Sequence, residues 1–109
     1  MGPRSHRRPK WDARELIGRF LLLDDDRSYA ERIAPVLREV RPVDFARTIA
    51  EADDLLAGPF PHIALILDAA LPDGDGFAYL DSLRERGLEA PALILTAASA
   101  LTPIVLVQA

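Results

Sequence analysis

Three aspartates and a threonine stand where chemistry is most easily assembled. Asp24 and Asp25 follow the apolar run 20–23, Asp68 closes the run 63–67, and Thr96 closes the run 92–95. Continuous apolar runs of this length, separated by stretches of helical pattern, read as parallel strands buried on both faces. Parallel strands end on one side, so these four side chains converge at the carboxyl edge, where open α/β sheets place their ligand sites. Two ionised carboxylates about 4 Å apart repel by roughly 1 kcal/mol in bulk water and by about 4 kcal/mol at an effective dielectric near 20. A cluster of Asp24, Asp25 and Asp68 therefore asks for a cation.

The elements between the runs must hold these ends in place. Residues 27–40 put Ile33, Val36, Leu37 and Val40 at helical spacing, with Asp26 or Ser28 as N-cap, Pro35 as a tolerable kink and Arg41-Pro42 as the stop. Residues 43–49 alternate and predict a short edge strand, and residues 51–57 a brief helix ended by Gly58-Pro59. After Asp68 come a loop, Leu71-Pro72-Asp73-Gly74-Asp75-Gly76, and a helix over about 77–86 closed by Gly87. The order predicts right-handed crossovers and a doubly wound parallel sheet. Beyond Thr96 the pattern breaks: residues 97–102 are too few for a covering helix, and Ile104 to Val107 predict a fifth strand.

Composition narrows the function classes. The chain has 109 residues, half of them apolar, and no cysteine, which suits one domain and excludes thiolate chemistry. Its net charge of −4 hides a basic segment, residues 1–19 at +4, and an acidic body at −8. That body argues against nucleic acid as a ligand of this domain. No run approaches the length of a membrane span, and the basic start has no apolar run after it, so a soluble intracellular protein is expected. Asp73-Gly-Asp75-Gly does not fit a calcium loop, since Leu71 and Ser82 would occupy its first and last ligand positions; it reads as a turn. His6 and His62 have no partner motif and are expected to be exposed, and Trp11, Leu16 and Ile17 form one weak amphipathic turn.

From about Phe20 to Ala98 the sequence resembles the receiver domain of two-component response regulators. The resemblance is carried by Asp24-Asp25 after an apolar strand, by Leu67-Asp68 with the Leu71-Pro72-Asp73-Gly74-Asp75-Gly76 loop, and by Thr96-Ala97. It implies a flavodoxin-like sheet of order 2-1-3-4-5 with the fifth strand and last helices short or missing. The implied domains are a basic extension over 1–19 and a receiver over 20–109, truncated or atypical after about residue 98. Asp68 would accept a phosphoryl group from a histidine kinase or phosphotransfer protein in the cytoplasm. Mg²⁺, a hard cation suited to carboxylates and phosphate oxygens, would be held by Asp25 and Asp68, by Asp24 through water, and by the Ala70 carbonyl. Thr96 would bond the new phosphoryl oxygens, with Ala97 leaving room for them.

One part of that pattern is absent. Receivers carry a lysine at the end of the fifth strand, and the only lysine here is Lys10; Gln108 is the candidate near that place, without the charge. The missing fifth helix would also leave apolar strand residues uncovered, which predicts marginal stability, self-association, or folding back of the segment around Trp11, Leu16 and Ile17. Two other functions compete. A haloacid-dehalogenase-like phosphatase would use Asp24 as nucleophile, and a pseudo-receiver would bind partners without being phosphorylated.

Overall fold

The computed structural model describes residues 17–97 and 103–108, with the side chains of Ala97 and of 103–108 outside that description. The expectations for His6, Trp11, Leu16 and the Ala97 side chain lie outside the described residues. Along the chain run β1 (Arg19–Leu23), α1 (Arg27–Arg38), β2 (Val43–Ala46), α2 (Ile49–Leu56), β3 (His62–Asp68), β4 (Ala70–Leu71), β5 (Gly74–Asp75), α3 (Gly76–Glu85), β6 (Ala92–Ala97) and β7 (Pro103–Gln108). The five-stranded sheet has the order β2-β1-β3-β6-β7, and β4 pairs with β5 in a separate hairpin.

The apolar runs are strands because both of their faces are covered. Leu21, Leu22 and Leu23 are fully buried, with Leu21 and Leu23 packed beneath α2 and α3 and Leu22 beneath α1. The larger core adds Leu65, Leu67, Leu80, Leu83 and Ile94; the smaller one joins Leu22 to Ala30 and Ile66. Alternation within each run thus feeds two cores at once. Asp26 caps α1 by accepting the Tyr29 N–H, and α1 runs on through Pro35, whose exposed position leaves the freed carbonyl to water. Gly87, at φ +90°, closes α3 where the Leu88 N–H reaches back to the Leu83 carbonyl.

Two expectations are corrected. The sheet is parallel from β2 through β6, but β7 runs antiparallel to β6, pairing Ala97 with Pro103 and Ala92 with Gln108. A parallel return needs a crossover of a dozen or more residues, and only 98–102 lie between the two strands. Gln108 consequently sits at the amino end of β6 and cannot stand near Thr96 in place of a lysine. His62, expected to be exposed, is buried: its Nε2 lies 2.8 Å from Asp44 Oδ2, because Arg19, Asp44 and His62 come from three adjacent strands on one face.

Candidate functional site

The carboxyl edge gathers the acidic residues singled out above. β1 stops at Leu23, and the Asp24 N–H continues the ladder by donating to the Ala46 carbonyl at 3.0 Å. This draws Asp24 into the sheet, where it is only 3 % exposed, while Asp25 projects to solvent. Asp68 is the last residue of β3 and lies opposite Leu95 of β6. One carboxylate oxygen from each of Asp24, Asp25 and Asp68 falls within 4.8 Å of the others. Thr96, half-buried, is one residue beyond Leu95, beside Asp68 on the same edge.

The electrostatics follow from that crowding. Burial pushes the Asp24 carboxyl up to about 6, opposed by the Asp26 N–H that donates to its Oδ1 at 2.8 Å and reinforced by the charge on Asp68. Burial also raises Asp68, with the N–H of Ala70, 3.3 Å from its Oδ1, acting the other way. None of the three pairs with a basic side chain among the described residues. The donor set is oxygen only, anionic and partly desolvated, which fits a small hard cation such as Mg²⁺ and does not fit soft metals.

The loop after Asp68 is shaped by its glycines and acids. Leu71-Pro72-Asp73-Gly74 makes a tight turn closing the β4–β5 hairpin, in which Ala70 pairs with Asp75. The Ala69 N–H bonds the Leu95 carbonyl at 2.9 Å and the Gly76 N–H bonds the Ala69 carbonyl at 2.8 Å. A Cβ on Gly76 would collide with the Asp68 carbonyl oxygen, so only glycine lets α3 start this close to the site. Asp75 caps α3 through the N–H groups of Phe77, at 2.7 Å, and Ala78. The sequence carried that signal, an aspartate just before a helical run, and the structure adds Asp73, whose partners lie 24 and 23 residues earlier, at Ile49 and Ala50.

Comparison with known proteins places the fold in a family. No protein-family profile matches the chain. The transcriptional regulatory protein PmrA of Pectobacterium parmentieri is 39 % identical over 80 residues, covering 72 % of this chain and 36 % of that protein. The non-phosphorylated HemR receiver domain from Leptospira biflexa superposes with a TM-score of 0.65 at 33 % identity, covering 76 % of this chain and 67 % of that one. The MaeR response regulator bound to beryllium trifluoride gives a TM-score of 0.68 at 26 % identity, over 77 % and 70 % of the two chains. The chain belongs to the response regulator receiver domain family. Such domains serve signalling and are not enzymes in the ordinary sense. The chain spans about a third of the length of the curated relatives it matches, and no helix among its described residues is long and apolar enough to cross a membrane.

Proposed function

We propose that this chain is a phosphoacceptor of a two-component relay, with Asp68 taking a phosphoryl group from a phosphohistidine on a kinase or phosphotransfer protein in the cytoplasm. The observation that carries the reading is the convergence of three carboxylate oxygens within 4.8 Å at the carboxyl edge, with no basic side chain paired to them among the described residues. That the related MaeR response regulator binds beryllium trifluoride supports a phosphoryl-accepting role for a domain of this fold.

Asp24, Asp25, Asp68 and the Ala70 carbonyl would hold Mg²⁺. The ion, when bound, offsets the negative charge that otherwise repels a phosphoryl group from a carboxylate nucleophile. In the transfer a carboxylate oxygen of Asp68 bonds to phosphorus while the donor's P–N bond breaks. The electron pair stays on the ring nitrogen, which takes up a proton. Thr96, one residue beyond the partner of Asp68 in β6, would donate to the phosphoryl oxygens; Ala97 beside it would leave them space. Water then attacks the acyl phosphate slowly, so the state is a timed switch with no turnover of substrate. Asp24 is a poor nucleophile for the phosphatase alternative, since it is buried with an oxygen already accepting the Asp26 N–H. The complete acidic set likewise favours phosphorylation over a pseudo-receiver.

The test is incubation of the 109-residue chain with a small phosphodonor and Mg²⁺, read by intact mass. One added phosphoryl group is expected, absent in Asp68→Asn and absent with a chelator. An adduct that is indifferent to both changes contradicts the proposal.

A further inference from the structure

The acids of the loop after Asp68 do different work. Asp75 caps the helix that begins beside it, as an aspartate before a helix ordinarily does. Asp73 reaches instead across the edge to another helix. Its Oδ1 accepts the Ile49 N–H at 2.9 Å and its Oδ2 accepts the Ala50 N–H at 3.2 Å. Both oxygens are therefore spent on the first turn of α2.

Helix α2 has a cap of its own. Thr48 Oγ1 accepts the Glu51 N–H at 3.1 Å, and the Glu51 carboxylate accepts the Arg47 N–H at 3.0 Å. This is close to the reciprocal Thr-x-x-Glu arrangement that begins many helices. The Ala52 N–H is already inside the helix, on the Thr48 carbonyl. Asp73 thus completes the first turn from outside, and in doing so it fastens the tip of the β4–β5 hairpin to α2. Contact at the neighbouring residue agrees: a Cβ on Gly74 would stand 2.6 Å from Ile49 Cδ1, so loop and helix are already pressed together there.

The base of the same hairpin carries the site. Ala70 is in register with Asp75, its N–H reaches the Asp68 carboxylate, and the Gly76 N–H ties back to Ala69. Asp68 and Ala70 consequently sit at one end of a two-strand hairpin whose other end is clamped by Asp73. We infer that Asp73 is a positioning residue for the cation site: by pinning the hairpin tip to α2 it fixes Ala70 and the Asp68 carboxylate relative to Asp24 and Asp25. The inference rests on the phosphoacceptor reading. The clamp is also durable, because the amides of Ile49 and Ala50 hold the Asp73 carboxyl below the ordinary carboxylate range.

A positioning role and a mere helix cap predict different results, and Thr48 supplies the control. Asp73→Ala and Thr48→Ala each remove a cap from α2, but only the first frees the hairpin. Titration calorimetry with Mg²⁺ alone on the full chain is expected to show affinity about tenfold weaker in Asp73→Ala, in line with partners that orient metal ligands. Thr48→Ala should bind as the unaltered chain does. Asp73→Asn, which keeps an acceptor oxygen for one amide, should fall between, and it carries the test if Asp73→Ala does not fold. Equal affinities in the Asp73 and Thr48 variants would overturn the inference and leave the phosphoacceptor reading standing. An unaltered chain that binds no Mg²⁺ would overturn both.

Discussion

The two ends of the sheet use aspartate in opposite ways. At the amino end Asp44 is flanked by cation and imidazole: Arg19 Nη1 lies 2.7 Å from its Oδ1 and His62 Nε2 lies 2.8 Å from its Oδ2. Phe60 covers the guanidinium at 5.0 Å. Each oxygen of the Asp44 carboxylate thus has a partner within the fold, so this group holds strands together. At the carboxyl end, among the described residues, Asp24, Asp25 and Asp68 meet only one another and backbone N–H groups. The comparison teaches that burial of a carboxylate does not mark a site; burial without a counter-charge does.

The largest effect is expected where the balance is broken. Asp44→Ala removes the carboxylate that Arg19 and His62 share in a largely enclosed site, and losing one member of such a group costs about 3 kcal/mol or more. Urea unfolding should show that loss, while the Mg²⁺ response of whatever remains folded should be unchanged. A parallel loss of Mg²⁺ response would mean that the two ends are coupled, against the comparison drawn here.

Restoring balance at the other end should be the next largest effect. Mg²⁺ at about a hundred times its dissociation constant adds about 2.7 kcal/mol to stability. Thermal melts of the unaltered chain should rise accordingly, and Asp25→Asn should abolish the rise. Melts that do not move in either protein would remove the cation site.

A smaller effect has the opposite sign. Asp24→Asn keeps an acceptor for the Asp26 N–H and deletes a buried charge, so the metal-free protein should gain about 1 kcal/mol while losing Mg²⁺ affinity, as is common when functional charge is removed. A metal-free Asp24→Asn chain less stable than the original would show that the cluster is not under electrostatic strain.

The subtlest difference is in pH. Asp24 has its carboxyl raised to about 6 in the fold against 3.8 for the free group. Its protonated form is thus favoured by folding, and the stabilisation it lends, fully present below about pH 4, is lost as pH climbs through about 6. The metal-free melting point of the original chain, measured relative to Asp24→Asn, should therefore fall from pH 4 to pH 7. With Mg²⁺ present the slope should reverse, because the ion binds the ionised form. A flat difference between the two proteins would contradict the assignment.

How much of this was readable from sequence depends on whether the signal was local. Strand ends at Asp24, Asp68 and Thr96 followed from apolar run length, and the cap Asp26 from residue type just ahead of a helix, whereas Asp75, read only as part of a turn, proved to cap α3. The parallel sheet followed from the strand and helix alternation, and its strand order from the resemblance to receiver domains. The direction of β7 was readable too, from the shortness of residues 98–102, although an extended parallel template pointed the other way. His62 and Asp73 were not readable: their partners, Asp44 and the start of α2, lie 18 or more residues away and are met only through strand register and loop packing.

The most direct test of the account is to locate the phosphoryl group. The 109-residue chain, exposed to a small phosphodonor with Mg²⁺, would be reduced with borohydride to fix the acyl phosphate site and mapped by peptide mass spectrometry. Modification is expected at Asp68 alone, lost in Asp68→Asn and unaffected by Asp44→Asn. A label at Asp24 that persists in Asp68→Asn would contradict it.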